Sequence, residues 1–219
     1  MRASRTDGPG AVTAIAPARG TMVPMGFTRD QLESFRDVEV PDLLPTGDQP
    51  LLLLFVGINP GLWTAATQTH FAHPGNRFWP ALLRAGVVTH PVDQAAGMTE
   101  DDRDALRRRG IGITNLAARA TARADELTPE ELRRGGERLR ALVAERRPRV
   151  VAVAGVTAYR TAFDRRAAAG EQPARWGASR VFVVPNPSGL NAHETVDTLA
   201  TAYGEAARAA GVVDGPPPG

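Results

Sequence analysis

Leu51-Leu52-Leu53-Leu54-Phe55-Val56, followed at once by Gly57-Ile58-Asn59-Pro60-Gly61, is the stretch that decides the fold class. Six consecutive apolar residues closed by Gly and Pro match a strand covered on both faces, as in a parallel sheet under helices. Val150–Ala154 and residues 181–184 repeat the pattern, and 110–116 is a short, apolar, Gly-bearing version. Helical signals fall between these runs. Thr28 caps a short helix to Arg36. Residues 76–84 place Phe78, Leu82 and Leu83 on one side. Thr99-Glu100-Asp101-Asp102 reads as a capping box opening a helix to Arg109, with acidic residues first and basic residues last, as the helix dipole favours. Thr128-Pro129-Glu130-Glu131 opens a longer helix to about Arg147, in which Gly135-Gly136 marks a close packing contact or a kink. Helices over 156–166 and 195–210, the last ended by Gly211, complete the alternation, with a long loop running from Gly57 through Pro74. The expectation is an α/β fold: a three-layer α/β/α sandwich around a central, mostly parallel sheet. Residues 1–27 read as a disordered Gly/Ala/Pro/Arg leader, 28–212 as the one domain, and 213–219 as a flexible Pro/Gly tail.

Composition removes several classes of chemistry. The chain has no cysteine, which excludes disulfides, thiolate zinc sites, cysteine-ligated clusters and a cysteine nucleophile. All 26 Lys+Arg positions are arginine, so no ε-amine is present to form a Schiff base. Of the four histidines, only His70 and His73 are close in sequence, and they sit in a loop that sets no ligand spacing; no metal and no cofactor are expected. The formal net charge of +2 neither demands nor excludes a nucleic-acid partner. No apolar stretch matches a membrane span or a signal core, so a cytoplasmic protein with no membrane partner is expected.

In a parallel sheet a ligand crevice forms at the carboxyl ends of the strands. Two loops there, 57–61 and Asn186-Pro187-Ser188-Gly189-Leu190-Asn191, are rich in Gly, Pro and Asn and free of charge. Such walls suit a neutral, hydrogen-bonding ligand such as a nucleobase. The first loop lacks the Lys of a P-loop and the spacing of a dinucleotide fingerprint, and Pro60 removes a backbone donor. Taken alone, Asn59 is either a turn residue bonding local backbone or a pocket residue aimed at the ligand.

Four motifs in order, Gly57-Ile58-Asn59-Pro60-Gly61-Leu62, Phe71-Ala72-His73-Pro74-Gly75-Asn76-Arg77-Phe78-Trp79, Gly112-Ile113-Thr114-Asn115 and Asn186-Pro187-Ser188-Gly189-Leu190, resemble the mismatch-specific uracil/thymine DNA glycosylases of the Mug/TDG family. The similarity spans about residues 51–211. The resemblance implies hydrolysis of the N-glycosidic bond of a base flipped out of duplex DNA, leaving an abasic site. It places Asn59 at the water-positioning site, where an amide orients a water but is a very weak base. It makes Gly57, Ile58, Thr64, Phe71, Asn115 and Asn186 the base pocket, with Phe71 stacking on the pyrimidine and Asn115 reading its N3/O4 edge. Thr64 falls near a thymine methyl, or else its hydroxyl caps the turn after Trp63. Ser188, Gly189, Leu190 and Asn191 form a DNA-binding loop with Leu190 as a wedge entering the stack; outside that context an apolar tip is a core contact. Arg77 meets a phosphate or is merely solvated. His70 and His193 assist the leaving group or a phosphate, or are solvated loop histidines.

Asn191-Ala192-His193 stand where bacterial relatives often carry an arginine, which implies weaker reading of the opposite base. Implied partners are double-stranded DNA containing uracil or mismatches, and single-stranded DNA, bound by a monomer. Without lysine, glycosylase action without strand cleavage is expected. Two other readings stay open: a damage sensor that binds flipped bases without cutting, and a small-molecule N-glycoside hydrolase that needs the pocket but no wedge.

Overall fold

The computed structural model describes residues 26–214; the expected leader and tail therefore lie, over 1–25 and 215–219, outside the described residues. In chain order the elements are α1 (Arg29–Glu33), β1 (Leu53–Gly57), α2 (Leu62–Thr67), α3 (Phe78–Arg84), α4 (Glu100–Arg108), β2 (Ile111–Asn115), α5 (Pro129–Arg146), β3 (Val150–Ala154), α6 (Val156–Ala162), β4 (Gly170–Glu171), β5 (Arg180–Val184) and α7 (Val196–Ala210), with a 3-10 turn at Ala124–Glu126 before α5. The strands form one sheet in the order β2-β1-β3-β5-β4. All pairings are parallel except β4 with β5.

This order explains the layers. The chain leaves β1 to one side for β2, then crosses back over β1 to β3 and continues to β5. Right-handed crossovers in opposite directions put their helices on opposite faces. One core accordingly joins Phe55, Ile113 and Phe182 to Phe78, Leu82, Leu106, Leu199 and Tyr203 of α3, α4 and α7. The other joins Leu54, Val56, Val151 and Val183 to Leu132, Leu139, Val143 and Tyr159 of α5 and α6. The result is an α/β/α sandwich on a mostly parallel sheet.

Local chemistry sets most boundaries. Thr28, Thr99, Thr128 and Thr195 each accept from the third residue of the helix they open, whose side chain bonds back to the cap. Gly211 ends α7 with φ +74. Three expectations need correction. The loop expected through Pro74 contains α2, which starts at Gly61 without a side-chain cap bond and so gives no capping signal. The helix expected to Arg166 stops at Ala162, because Phe163 leaves helical geometry and the Asp164 carboxylate accepts from Arg166 N at 2.9 Å. Helix α1 is only five residues long.

Gly135-Gly136 is a packing contact, since α5 runs through it unbroken. A Cβ built on Gly135 collides with the Leu116 carbonyl oxygen, and one on Gly136 comes within 2.9 Å of Phe163 Cε1. The helix can therefore lie directly against the end of β2. Gly→Ala inside a helix gains about 1 kcal/mol of propensity, but overpacking against backbone that cannot yield costs about 3 kcal/mol. Gly135→Ala is thus expected to lower the unfolding free energy by about 2 kcal/mol, read as a lower urea midpoint at unchanged slope; a higher midpoint would show that the contact is slack.

Candidate active site

Loop 57–61 leaves β1 at the point where chain order reverses between β1 and β3, the place where open α/β sheets form their crevice. It is zipped to the segment after β2: Leu116 N donates to Gly57 O at 2.9 Å, Ala117 N to Ile58 O at 2.8 Å and Thr121 N to Pro60 O at 3.1 Å. Asn59 is oriented by the same segment. Its Nδ2 donates to Thr121 Oγ1 at 2.7 Å and to Pro60 O at 3.0 Å, while the Thr121 hydroxyl donates onward to Arg123 O at 2.8 Å. The amide nitrogen is thereby held inward. No donor among the described residues reaches Oδ1, which stays available as an acceptor.

Gly57, Phe71, Asn115 and His70 come together on the α3/α7 face of the sheet. Gly57 pairs with Asn115 in the β1–β2 register; a Cβ on Gly57 would strike Asn115 Oδ1 and lie 3.1 Å from Phe71 Cζ. Phe71 adopts φ +59, an uncommon conformation for a bulky residue, and stacks on Phe78 at a centroid distance of 3.9 Å. The strained turn is held by Trp79 Nε1 donating to His70 O at 2.8 Å and by Gln94 Nε2 donating to Phe71 O at 3.1 Å and Asn76 O at 3.0 Å.

His70 is buried, which corrects the solvated reading. Its Nε2 lies 3.2 Å from the Pro41 carbonyl, which can only accept, so Nε2 carries the proton. Nδ1 is then an acceptor, and Asn115 Nδ2 donates to it at 3.2 Å. The chain Pro41 O, His70, Asn115 therefore dictates which end of the Asn115 amide is which, with Oδ1 over Gly57. Desolvation by burial pushes the His70 imidazole down to about 4, with Arg103 adding to the effect, so the ring is neutral near pH 7.

Other expected pocket residues are less direct. The Ile58 side chain, expected in the base pocket, packs against the core on the α5/α6 face and lies 3.1 Å from a Cβ built on Gly155. Thr64 is buried at the third position of α2 and does not cap that helix. His73 is exposed and accepts from Gly75 N at 3.0 Å. No cluster of three metal-ligating side chains occurs among the described residues. A cavity of about 200 Å³ adjoins the site against α5, lined by Asn115 together with Asp42, Thr114 and Arg138.

The second loop is folded on itself. Asn186 Oδ1 accepts from Ser188 N at 3.1 Å, Ser188 Oγ accepts from Leu190 N at 3.3 Å, and Asn191 Nδ2 donates to Asn186 O at 3.2 Å. Tyr203 Oη fixes its root by donating to Pro185 O at 2.9 Å. The Asn191 amide nitrogen thus braces the loop itself. So does Arg77, expected either at a phosphate or in solvent: its guanidinium donates to the carbonyls of Gly189, Asn191 and Glu194. Leu190 is 85% exposed, against 37% for Val38 and 36% for Leu83, the other exposed large hydrophobics among the described residues. His193 is exposed beyond it.

Thr121, Gln94 and Pro41 are the positioning groups that sequence reading missed. The Asn59–Thr121 bond spans 62 positions, and no local pattern announces it. The arrangement as a whole offers an oriented amide oxygen, an aromatic face, a second amide of fixed polarity and an apolar tip.

The family model described as the uracil DNA glycosylase superfamily matches residues 44–206. The matched span contains both loops, His70, Phe71, Asn115 and Thr121.

Burial of neutral His70 makes stability depend on pH. Unfolded, the imidazole titrates near 6.5; folded, only near 4. Above pH 6.5 both states are neutral and the stability is whole. As pH falls from 6.5 toward 4 the unfolded chain takes up a proton that the fold refuses, and about 3 kcal/mol is lost. His70→Gln is expected to flatten this slope. Urea unfolding at pH 7 and pH 4.5 should show wild type losing about 2 kcal/mol more than the variant; equal losses would mean that His70 is not held neutral.

Proposed function

Because the chain belongs to the uracil DNA glycosylase superfamily, whose members are hydrolases that remove bases from DNA, we propose that it is a monofunctional glycosylase of the Mug/TDG type that excises uracil flipped out of DNA. The observation that carries this reading is the pair of oriented amides. Asn59 has its nitrogen tied to Thr121 and its oxygen available, and Asn115 has its nitrogen tied to neutral His70 and its oxygen over Gly57.

In this mechanism the base stacks on Phe71 and Leu190 occupies the space it leaves. Asn59 Oδ1 accepts a hydrogen bond from a water below C1′, whose oxygen bonds to C1′ as the N-glycosidic bond breaks; the electron pair leaves with the base, and the proton the water gives up passes to solvent, from which the base anion is protonated. An amide hardly acts as a base, so its contribution is the position of the water. Asn115 offers Oδ1 to an N3–H, and its second amide hydrogen to O4. Cytosine presents the opposite polarity at both atoms and would leave buried polar groups unpaired, which is how a hydrogen-bonding site rejects near-isosteres strongly. Reading resides in the base itself, and the protein has no arginine just past Leu190 to grip the opposite strand. Uracil outside a G·U mismatch, including in single-stranded DNA, is therefore a substrate. With no lysine in the chain, no side-chain amine can form a Schiff base with the sugar, and the product is an intact abasic strand.

Incubation with uracil-containing and normal duplexes, followed by alkali cleavage of abasic sites, tests the reading. Cutting only at uracil, and only after alkali, is expected. Asn59→Ala should lower excision by about a thousandfold, on the scale of losing a key transition-state contact, while binding to the same duplex survives. Binding without cutting by wild type would make the protein a damage sensor instead. The second comparison concerns Asn115. Wild type should process U·G, U·A and single-stranded U within about tenfold of one another, and Asn115→Ala should slow all three by about a hundredfold; activity confined to U·G would place discrimination in the opposite base.

A further inference from the structure

Arg77 is surrounded by acceptors rather than by solvent-facing charge. Its backbone N–H donates to Pro187 O at 2.9 Å. Nη2 donates to Gly189 O at 3.2 Å, Nη1 to Asn191 O at 3.1 Å, and Nη1 also to Glu194 O. Among the described residues no carboxylate pairs with it. Three main-chain carbonyls on both sides of Leu190 thus converge on one planar cation, whose rigid fork of donors spans them with less loss of freedom than a flexible ammonium would. The segment before α3 also touches loop 186–191 directly: a Cβ on Gly189 would lie 2.6 Å from Gly75 O. The next residue, Phe78, is the ring on which Phe71 stacks. Two consecutive residues therefore hold the two ends of the site, Phe78 the stacking face and Arg77 the exposed tip.

We propose that Arg77 is a positioning residue for Leu190, a clamp that fixes the wedge at a set distance from the stacking face and makes no contact with DNA phosphate. This deepens the glycosylase reading and rests on it for its effect on catalysis. A wedge matters where a base stack must be held open, and single-stranded DNA has no such stack. Loss of the clamp consequently impairs excision from duplex far more than from single strands. Because the clamp acts through Leu190, removing both groups should cost little more than removing one. Because it makes no phosphate contact, the dependence of DNA binding on salt stays as in wild type, whereas loss of one phosphate contact lowers the slope of log K against log salt by about 1.

The test uses the full chain and the variants Arg77→Met, Arg77→Lys, Leu190→Ala and Arg77→Met/Leu190→Ala. Amide hydrogen exchange without DNA comes first: Arg77→Met should raise exchange over 188–194 about tenfold or more while 57–61 stays protected, with Arg77→Lys restoring only part of it. Unchanged exchange overturns the clamp whatever the activity. On uracil substrates Arg77→Met should slow duplex excision by about tenfold or more and single-stranded excision by less than about threefold, and the double variant should match Leu190→Ala on duplex within about twofold. Equal losses on both substrates with a reduced salt slope would identify a phosphate contact and overturn the proposal, as would additive losses in the double variant. If wild type cuts neither substrate while exchange over 188–194 rises in Arg77→Met, the glycosylase reading fails and the clamp on the tip stands.

Discussion

The parallel pairing of β1 with β2 ends on Gly57 opposite Asn115, and the candidate site depends on that pairing. Both strands are buried on both faces, so the register cannot slip without turning core side chains to the wrong layer. With the register fixed, Asn115 comes to the α3/α7 face, while Leu116, one residue on, enters the core under α5. Gly57 then leaves open the volume that Asn115 Oδ1 and the Phe71 ring share. Beyond the strands the same ladder continues as loop-to-loop bonds as far as Thr121, which orients Asn59. One pairing therefore sets the place of both amides.

Orientation of an amide is a matter of what its two ends meet, and here each nitrogen is assigned by a neutral acceptor. Thr121 can accept from Asn59 because its own hydrogen is engaged by Arg123 O. His70 can accept from Asn115 because its proton is engaged by Pro41 O. In a low-dielectric site an unmatched polar group is costly, so both chains have one satisfied arrangement. A charged imidazole would reverse the second chain by offering a donor where Asn115 already donates. Burial that holds the ring neutral therefore defines the hydrogen-bond polarity that the pocket presents.

Much of this was legible in the sequence, and the rest was hidden for identifiable reasons. Strands β1, β3 and β5 announce themselves as apolar runs, and α1, α4 and α5 through the Thr caps at Thr28, Thr99 and Thr128. Helix α2 was missed because Gly61 opens it without a side-chain bond and its six residues complete fewer than two turns. The pair β4, Gly170–Glu171, is too short to carry alternation. At the site, the loops and their Asn and Phe residues stand in local motifs, whereas Thr121, Pro41 and Gln94 act from 18 to 62 positions away. Arg77 was legible as a residue and not as a contact: in a chain with arginine at every basic position, nothing local marks one that faces carbonyls.

The two loops are stabilised differently, and the difference follows from what surrounds them. Loop 57–61 lies beside another segment of backbone throughout, so main-chain bonds fix it at no expense of side-chain freedom. Loop 186–191 projects from the sheet and ends in an apolar side chain that solvent surrounds. Leaving a leucine exposed forgoes about 2 kcal/mol of burial, and a tip without neighbours would gain by folding back onto the protein. Short internal bonds from Asn186, Ser188 and Asn191 keep the turn compact, but they are all within the loop and cannot fix its direction. The bonds from Arg77 come from outside it, which is what holding an exposed leucine away from its own core requires.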